Sequence, residues 1–195
     1  MLLASCRPQV YIALFVCLVI KAFHLELVSS LTTTVFISAL KRFIARRSKC
    51  HQMISDNVTN FVDAAAEIKT FFRDLKVQES VREYGLSEGF DWKFIPPRAS
   101  HFGGLWESGI KSMKSHLKKV IGETILNFKE YCTLLSQIEA CLNSRPLCPL
   151  VDDPQSLEPL IPGHFLIGRP LCSIPESSLL FLPVGRLPVG NIFNK

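Results

Sequence analysis

Between Val10 and Ile20 the chain reads VYIALFVCLVI, a continuous apolar run rich in β-branched and aromatic residues. A run of that kind suits a strand buried on both faces, which needs covering layers above and below a sheet. After Lys21 and Ala22 the pattern changes to alternation, with Phe23, Leu25 and Leu27 set against His24 and Glu26. The pair is therefore expected to form a hairpin whose second strand is half exposed. His24 and Glu26 would share one face of that strand. They have the chemistry of ligands or of an acid and base, but the simpler reading places both on its solvent side.

Helical periodicity takes over downstream. Ser30 to Thr34 offers several N-caps, followed by Phe36, Leu40, Phe43 and Ile44 at helical spacing and a basic ending, ARRSK. Met53 to Ser55 reads as a short strand leading into Asp56, and Asn57 to Asn60 as a turn. A second helix is expected from about Asn60 to Leu75, a loop at Gly85 to Gly89, and an alternating strand at Phe90 to Ile95 that Pro96 and Pro97 stop. From about Leu105, the residues Trp106, Ile110, Met113, Leu117 and Ile121 form one buried stripe of a helix. Glu107, Lys111, Lys114 and Lys118 repeat on a second stripe roughly a quarter turn away. Asn127 and Glu130 have capping-box spacing at the head of a last long helix, with Tyr131, Leu134, Leu135, Ile138, Cys141 and Leu142 inward. Beyond Pro146 the chain is Pro-rich and irregular. Docking is expected for Pro146 to Leu171 and disorder for the end, so residues 1–170 make one domain and 171–195 a tail.

The 195 residues are enough for a substantial core, and a hydrophobic fraction of 48% excludes a disordered chain. A net charge of +5 favours an anionic partner only weakly, but its distribution says more. Lys41, Arg42, Arg46, Arg47 and Lys49 lie on one helix, and Lys111, Lys114, Lys118 and Lys119 on another. Seven cysteines without a CxxC pair support neither a zinc site nor a disulfide framework. Cys17, Cys132 and Cys141 sit among apolar neighbours and are expected to be buried thiols of a reducing compartment. The amino-terminal apolar run is too short to cross a bilayer and is followed by no small-residue cleavage site, so neither a membrane span nor secretion is expected.

A strand ending at Asp56 and a helix opening near Glu107 offer two carboxylates on elements able to converge at one sheet edge, beside two basic helices. That combination suits metal-assisted phosphoryl chemistry. Hard divalent cations take oxygen ligands, and two of them about 4 Å apart steady the attacking and leaving oxygens of an in-line displacement. The loop holding Arg98, Ser100, His101, Gly103 and Gly104 has the donors and freedom to approach a phosphate backbone. Spacing alone leaves the plainer alternative open: a surface helix with an acidic first turn and solvated charges.

Ordered motifs add what spacing lacks. SDNVTNF (Ser55 to Phe61) resembles the SDNGTNF motif, and IPPRASHFGGLWESGIKSMK the glutamate motif, of integrases from BEL/Pao-type LTR retrotransposons, relatives of retroviral integrase. FHLELV, ALKRFIARR, LNSRPL and PGHFLIGRP resemble the same family in the same order, so the likeness spans Tyr11 to Glu176. It implies an α/β, RNase H-like mixed sheet flanked by helices, an Asp, Asp, Glu triad with Mg²⁺ or Mn²⁺, and integration of element DNA ends into target DNA. Asp56 matches the second carboxylate and Glu107 the third, both as catalytic metal ligands. Lys111 and Lys114 match the DNA-facing side of the glutamate helix, where Lys118 is a further candidate, and Arg98 with His101 the loop before it. Lys41, Arg42, Arg46 and Arg47 join them as candidate phosphate contacts. The implied partners are DNA and further copies of the chain, and the implied location is the nucleus.

Two departures bear on activity. Nothing between Met1 and Val10 resembles the family's segment bearing the first Asp, so the first strand is expected to be lacking and the enzyme impaired or inactive. Val58 stands where the family has Gly; a turn requiring positive φ there would strain a β-branched residue by roughly 1–2 kcal/mol. The alternative is a non-catalytic nucleic-acid-binding remnant.

Overall fold

The computed structural model describes residues 2–6, 10–55, 66–94, 104–121, 126–150 and 159–171. β1 (Leu2–Cys6), β2 (Val10–Val16) and β3 (Phe23–Val28) form an antiparallel sheet in that order. α1 (Thr33–Arg47) follows, then β4 (Gln52–Ser55), α2 (Ala66–Arg73), α3 (Leu75–Glu88) and β5 (Asp91–Phe94), which runs parallel to β4. α4 (Gly104–Ile121) and α5 (Phe128–Asn143) precede a short antiparallel pair, β6 (Cys148–Pro149) and β7 (Pro159–Leu160), and α6 (Pro162–Ile167). Parallel and antiparallel pairings together with six helices among the described residues make the chain α/β, as expected.

β2 is sandwiched, as its apolar run requires. Tyr11, Ala13 and Phe15 enter one core with Phe36 and Leu40 of α1, Phe72 of α2, Val81 of α3 and Trp92 of β5. Ile12 and Leu14 enter a second with Phe23, Leu25 and Leu27 of β3, Met113 and Leu117 of α4 and Leu135 and Ile138 of α5. The first core is largely aromatic: Phe36 meets Phe71, Phe72 and Trp92 edge-on at 5.8–6.2 Å between ring centres. The caps fall where the residues put them. Thr32 accepts from the Val35 amide, and Asn127 and Glu130 form the reciprocal capping box of α5.

Four expectations are corrected. A strand does precede the hairpin: β1 pairs with β2 from Leu2↔Leu14 to Cys6↔Val10, so pairing is not lost there, but its sequence LLASC contains no carboxylate. Gly85–Gly89, expected as a loop, is instead the last turn of α3, a helix with only a sparse apolar stripe, and its left-handed C-cap Gly89 at φ 82°. His24 and Glu26 are not on a solvent face but are 3% and 5% exposed, because α1 packs over that side of β3. Alternation tells which residues share a face, not whether the face is wet. Cys17, Cys132 and Cys141 are exposed rather than buried. Docking of the proline-rich segment holds for its described part, where α6 packs on α5. Residues 172–195, with the tail assigned to them, lie outside the described residues.

Candidate active site and nucleic-acid interface

α4 is held in register by its closest approach to the sheet. A Cβ on Gly109 would lie 2.4 Å from Phe23 Cε1, so only glycine lets the helix backbone come this near β3. Trp106, Ile110, Met113 and Leu117 are buried by that approach. Glu107, Lys111, Lys114 and Lys118 are then left exposed along one side, with Glu107 in the first turn, where helix polarity suits a carboxylate. Among the described residues none of these four side chains is in an ion pair.

The strand leading to Asp56 is also fixed. Ser55 ends β4 fully buried, its hydroxyl accepting from Trp92 Nε1 at 3.0 Å on the parallel neighbour β5. Ile54, just before it, lines the same cavity of about 450 Å³ as Trp106, the residue before Glu107. The chain segments leading to the two candidate carboxylates thus meet at one flank of the molecule. Asp56, Arg98 and His101 themselves lie outside the described residues. Glu107 has exposed oxygens with no ion-pair partner among the described residues, as a hard cation requires. Among the described residues no group of three or more His, Cys, Asp or Glu side chains is placed to hold a metal.

The cations of α1 are committed elsewhere. Arg42 Nε donates to Glu26 Oε2 at 2.6 Å, Arg46 lies 3.2 Å from Glu26 Oε1, and Arg47 is paired with Glu139 of α5. His24 completes this network: Nε2 is 3.0 Å from Glu26, and Nδ1 is 3.2 Å from Glu139 without hydrogen-bond alignment. Burial by itself would depress the His24 pKa, but the adjoining Glu139 and Glu26 carboxylates outweigh it and raise the pKa. Burial pushes both carboxyls up; His24 with Arg42 for Glu26, and His24, the Leu25 amide and Arg47 for Glu139, bring them below the usual range. Lys41 instead lies over the Tyr84 ring, 5.8 Å from its centre.

Residues whose spacing gives no hint of it hold the free edge of β3. The Asn143 side chain accepts from the Phe23 amide at 2.7 Å and donates to the Phe23 carbonyl at 2.8 Å. Glu139 accepts from the Leu25 amide at 2.8 Å, and Arg42 donates to the Leu27 carbonyl at 3.2 Å. Arg145 bonds the Lys21 carbonyl and stacks its guanidinium 4.4 Å from the Phe23 ring centre. α5 therefore replaces a fourth strand with side chains, which is how an edge is kept from pairing with other chains. The segment LNSRPL was visible as a motif, but nothing in its spacing reveals this role.

Compared with solved structures, the chain is similar to a chain of the cryoEM structure of the simian T-cell lymphotropic virus intasome in complex with PP2A regulatory subunit B56 gamma. The TM-score is 0.59 at 15% identity, over 91% of this chain and 55% of the other. This chain therefore spans about half the length of that neighbour, and the likeness supports an integrase-like fold. No protein-family model matches the sequence, and no curated protein matches it. No helix among the described residues is long and apolar enough to cross a membrane.

Proposed function

We propose that the chain is the catalytic-core region of a retroelement integrase of the BEL/Pao type, built on an RNase H-like sheet, whose role is DNA integration. The observation that carries this reading is the surface of α4, where an exposed Glu107 heads a file of exposed lysines, beside the strand that leads into Asp56. Such a surface suits a polyanion whose scissile phosphate lies at the carboxylate end. Lys111, Lys114 and Lys118 would contact phosphates, with Arg98 and His101 on the loop before the helix. Asp56 and Glu107 would hold Mg²⁺ or Mn²⁺, which supplies Lewis-acid stabilisation to a phosphoryl oxygen. The location that follows is the nucleus, and further copies of the chain are expected partners.

Strand transfer itself is expected to be impaired. The family's first carboxylate has no counterpart in β1, and two oxygen-bearing residues of three leave a two-metal centre one bridging charge short. A strand-transfer assay with Mn²⁺ on oligonucleotides tests this: no product is expected. Product that disappears in Glu107→Gln would overturn the impairment while supporting the site.

The second reading, nucleic-acid binding without catalysis, is favoured by the same exposed lysines. Binding of a random-sequence duplex should weaken steeply with salt. Replacing Lys111, Lys114 and Lys118 by glutamine should reduce the log–log salt slope by up to about 2.7, at roughly 0.9 per phosphate contact. Salt-independent retention, or none at low salt, would count against both readings.

A further inference from the structure

Cys17 and Cys50 come together at one end of the molecule from distant points of the chain. Cys17 follows the last residue of β2, yet its amide still donates to the Ala22 carbonyl at 2.9 Å, so the ladder with β3 extends through it. Successive strand side chains point to opposite faces, and Tyr11, Ala13 and Phe15 of this strand enter the first core. Cys17 is next in that series and leaves the sheet on the same side. Phe15 carries the end of α1 there, its ring stacked 4.4 Å from the Phe43 ring. Cys50 lies just past Arg47, where α1 ends, and packs against the same core. Both cysteines line one cavity. Of the other cysteines whose side chains are described, Cys132 and Cys141 lie on α5 and Cys148 on β6, and none lines that cavity.

The two thiols differ as an attacking and a resolving cysteine differ. Cys17 is exposed, within reach of a dissolved oxidant, and Cys50 is half-buried. Burial pushes the Cys50 thiol up, and negative charge on Cys17 adds to that, so each sulfur lies within electrostatic reach of the other. We propose that Cys17 and Cys50 are a redox-responsive pair, which a small-molecule disulfide converts to an intramolecular disulfide that ties the entry of β4 to the β2–β3 hairpin. The Cys17 thiolate attacks one sulfur of glutathione disulfide, forming a mixed disulfide and expelling one glutathione thiolate. The Cys50 thiolate then attacks the Cys17 sulfur and expels the second glutathione. The two thiol protons pass to the two glutathione thiolates, so the protein pair is oxidised by two electrons and glutathione disulfide is reduced by two. The bridge joins two sheets that share no ladder among the described residues, and it fixes the start of the strand whose far end leads to Asp56.

The test is equilibration of the whole chain in glutathione buffers of rising disulfide-to-thiol ratio. Free thiols are then alkylated, and proteolysis with fragmentation mass spectrometry locates the bonded sulfurs. A Cys17–Cys50 cross-link within one chain is expected as the main oxidised species, reversed by dithiothreitol. It closes a loop of about 34 residues, so oxidation should raise the thermal unfolding midpoint by about 5–10 °C. Cys17→Ser and Cys50→Ser should each abolish the cross-link and the rise, and Cys50→Ser should leave a glutathione adduct on Cys17. The mapping on the unaltered chain stands whether or not either variant folds. Separate glutathione adducts on the two cysteines, a cross-link to another cysteine or between two chains, or an oxidised chain whose midpoint is unchanged or lower would overturn the proposal.

Discussion

Replacing Asn143 by alanine should be among the most damaging single changes in the molecule, for reasons confined to one side chain. Asn143 is fully buried and makes two hydrogen bonds to the same residue, accepting from the Phe23 amide and donating to its carbonyl. Each bond is worth about 1 kcal/mol net, but its loss leaves a buried backbone group unpaired, at about 1–3 kcal/mol each. The total for Asn143→Ala is therefore about 2–6 kcal/mol. Asn143→Asp separates the two halves: it keeps an acceptor for the Phe23 amide and sets a second acceptor against the Phe23 carbonyl, so it should cost as much or more. Urea unfolding followed by fluorescence reads the effect. With a slope near 2 kcal/mol per molar, about 3 kcal/mol moves the midpoint down by about 1.5 M at unchanged slope. The Phe23 amide should at the same time lose most of its hydrogen-exchange protection. A midpoint shift below about 0.3 M, or a protected Phe23 amide in the alanine variant, would refute the edge-holding role.

Gly109→Ala gains up to about 1 kcal/mol in helix propensity yet should destabilise, because its Cβ would meet the Phe23 ring at 2.4 Å and Arg145 stacks on that ring. Thermal unfolding should show a lower midpoint, partly restored by adding Phe23→Leu. Stability should also depend on pH through His24 and its carboxylates. The raised His24 pKa contributes stability that is full below the ordinary histidine value of about 6.5 and is lost as pH rises through the folded pKa. The lowered Glu26 and Glu139 pKa values contribute stability present above about 4.3 and lost as pH falls through their folded values. The midpoint should therefore peak between about pH 4.5 and 6.5, and His24→Gln should flatten the alkaline limb and weaken the acidic one, because His24 also leads the causes that lower both carboxyls; an unchanged alkaline limb would contradict it.

Where a local signal and a periodic pattern coincide, the residues announce the structure. Asn127 and Glu130 mark the start of α5, and the spacing Trp106, Ile110, Met113, Leu117 gives the buried face of α4. Ser55 and its strand were legible for the same reason. α3 was not, because its buried residues Val77, Val81 and Gly85 make a sparse stripe among charges, and its terminal glycine resembles a loop. The burial of His24 and Glu26 was illegible for a different reason: their partners Arg42, Arg46 and Glu139 are distant in sequence, and no period relates them. β1 lies between these cases. Its residues form a strand through pairing with β2, but they match no motif and bring no carboxylate.

The two basic helices separate once partners are counted, although charge alone makes them look alike. Arg42 and Arg46 answer Glu26, and Arg47 answers Glu139, which in turn holds the Leu25 amide; these cations neutralise buried carboxylates and secure the edge of β3. Glu139 would keep His24 and the Leu25 amide, so Arg47→Ala should lower stability by about 1–3 kcal/mol whatever it does to DNA. Lys111, Lys114 and Lys118 have no such partner among the described residues, and an exposed lysine replaced by glutamine changes stability by no more than about 0.5 kcal/mol. Between these two groups of cations, loss of binding without loss of stability is therefore expected from the α4 lysines. Loss of both in an α1 variant shows only that the sheet edge has failed.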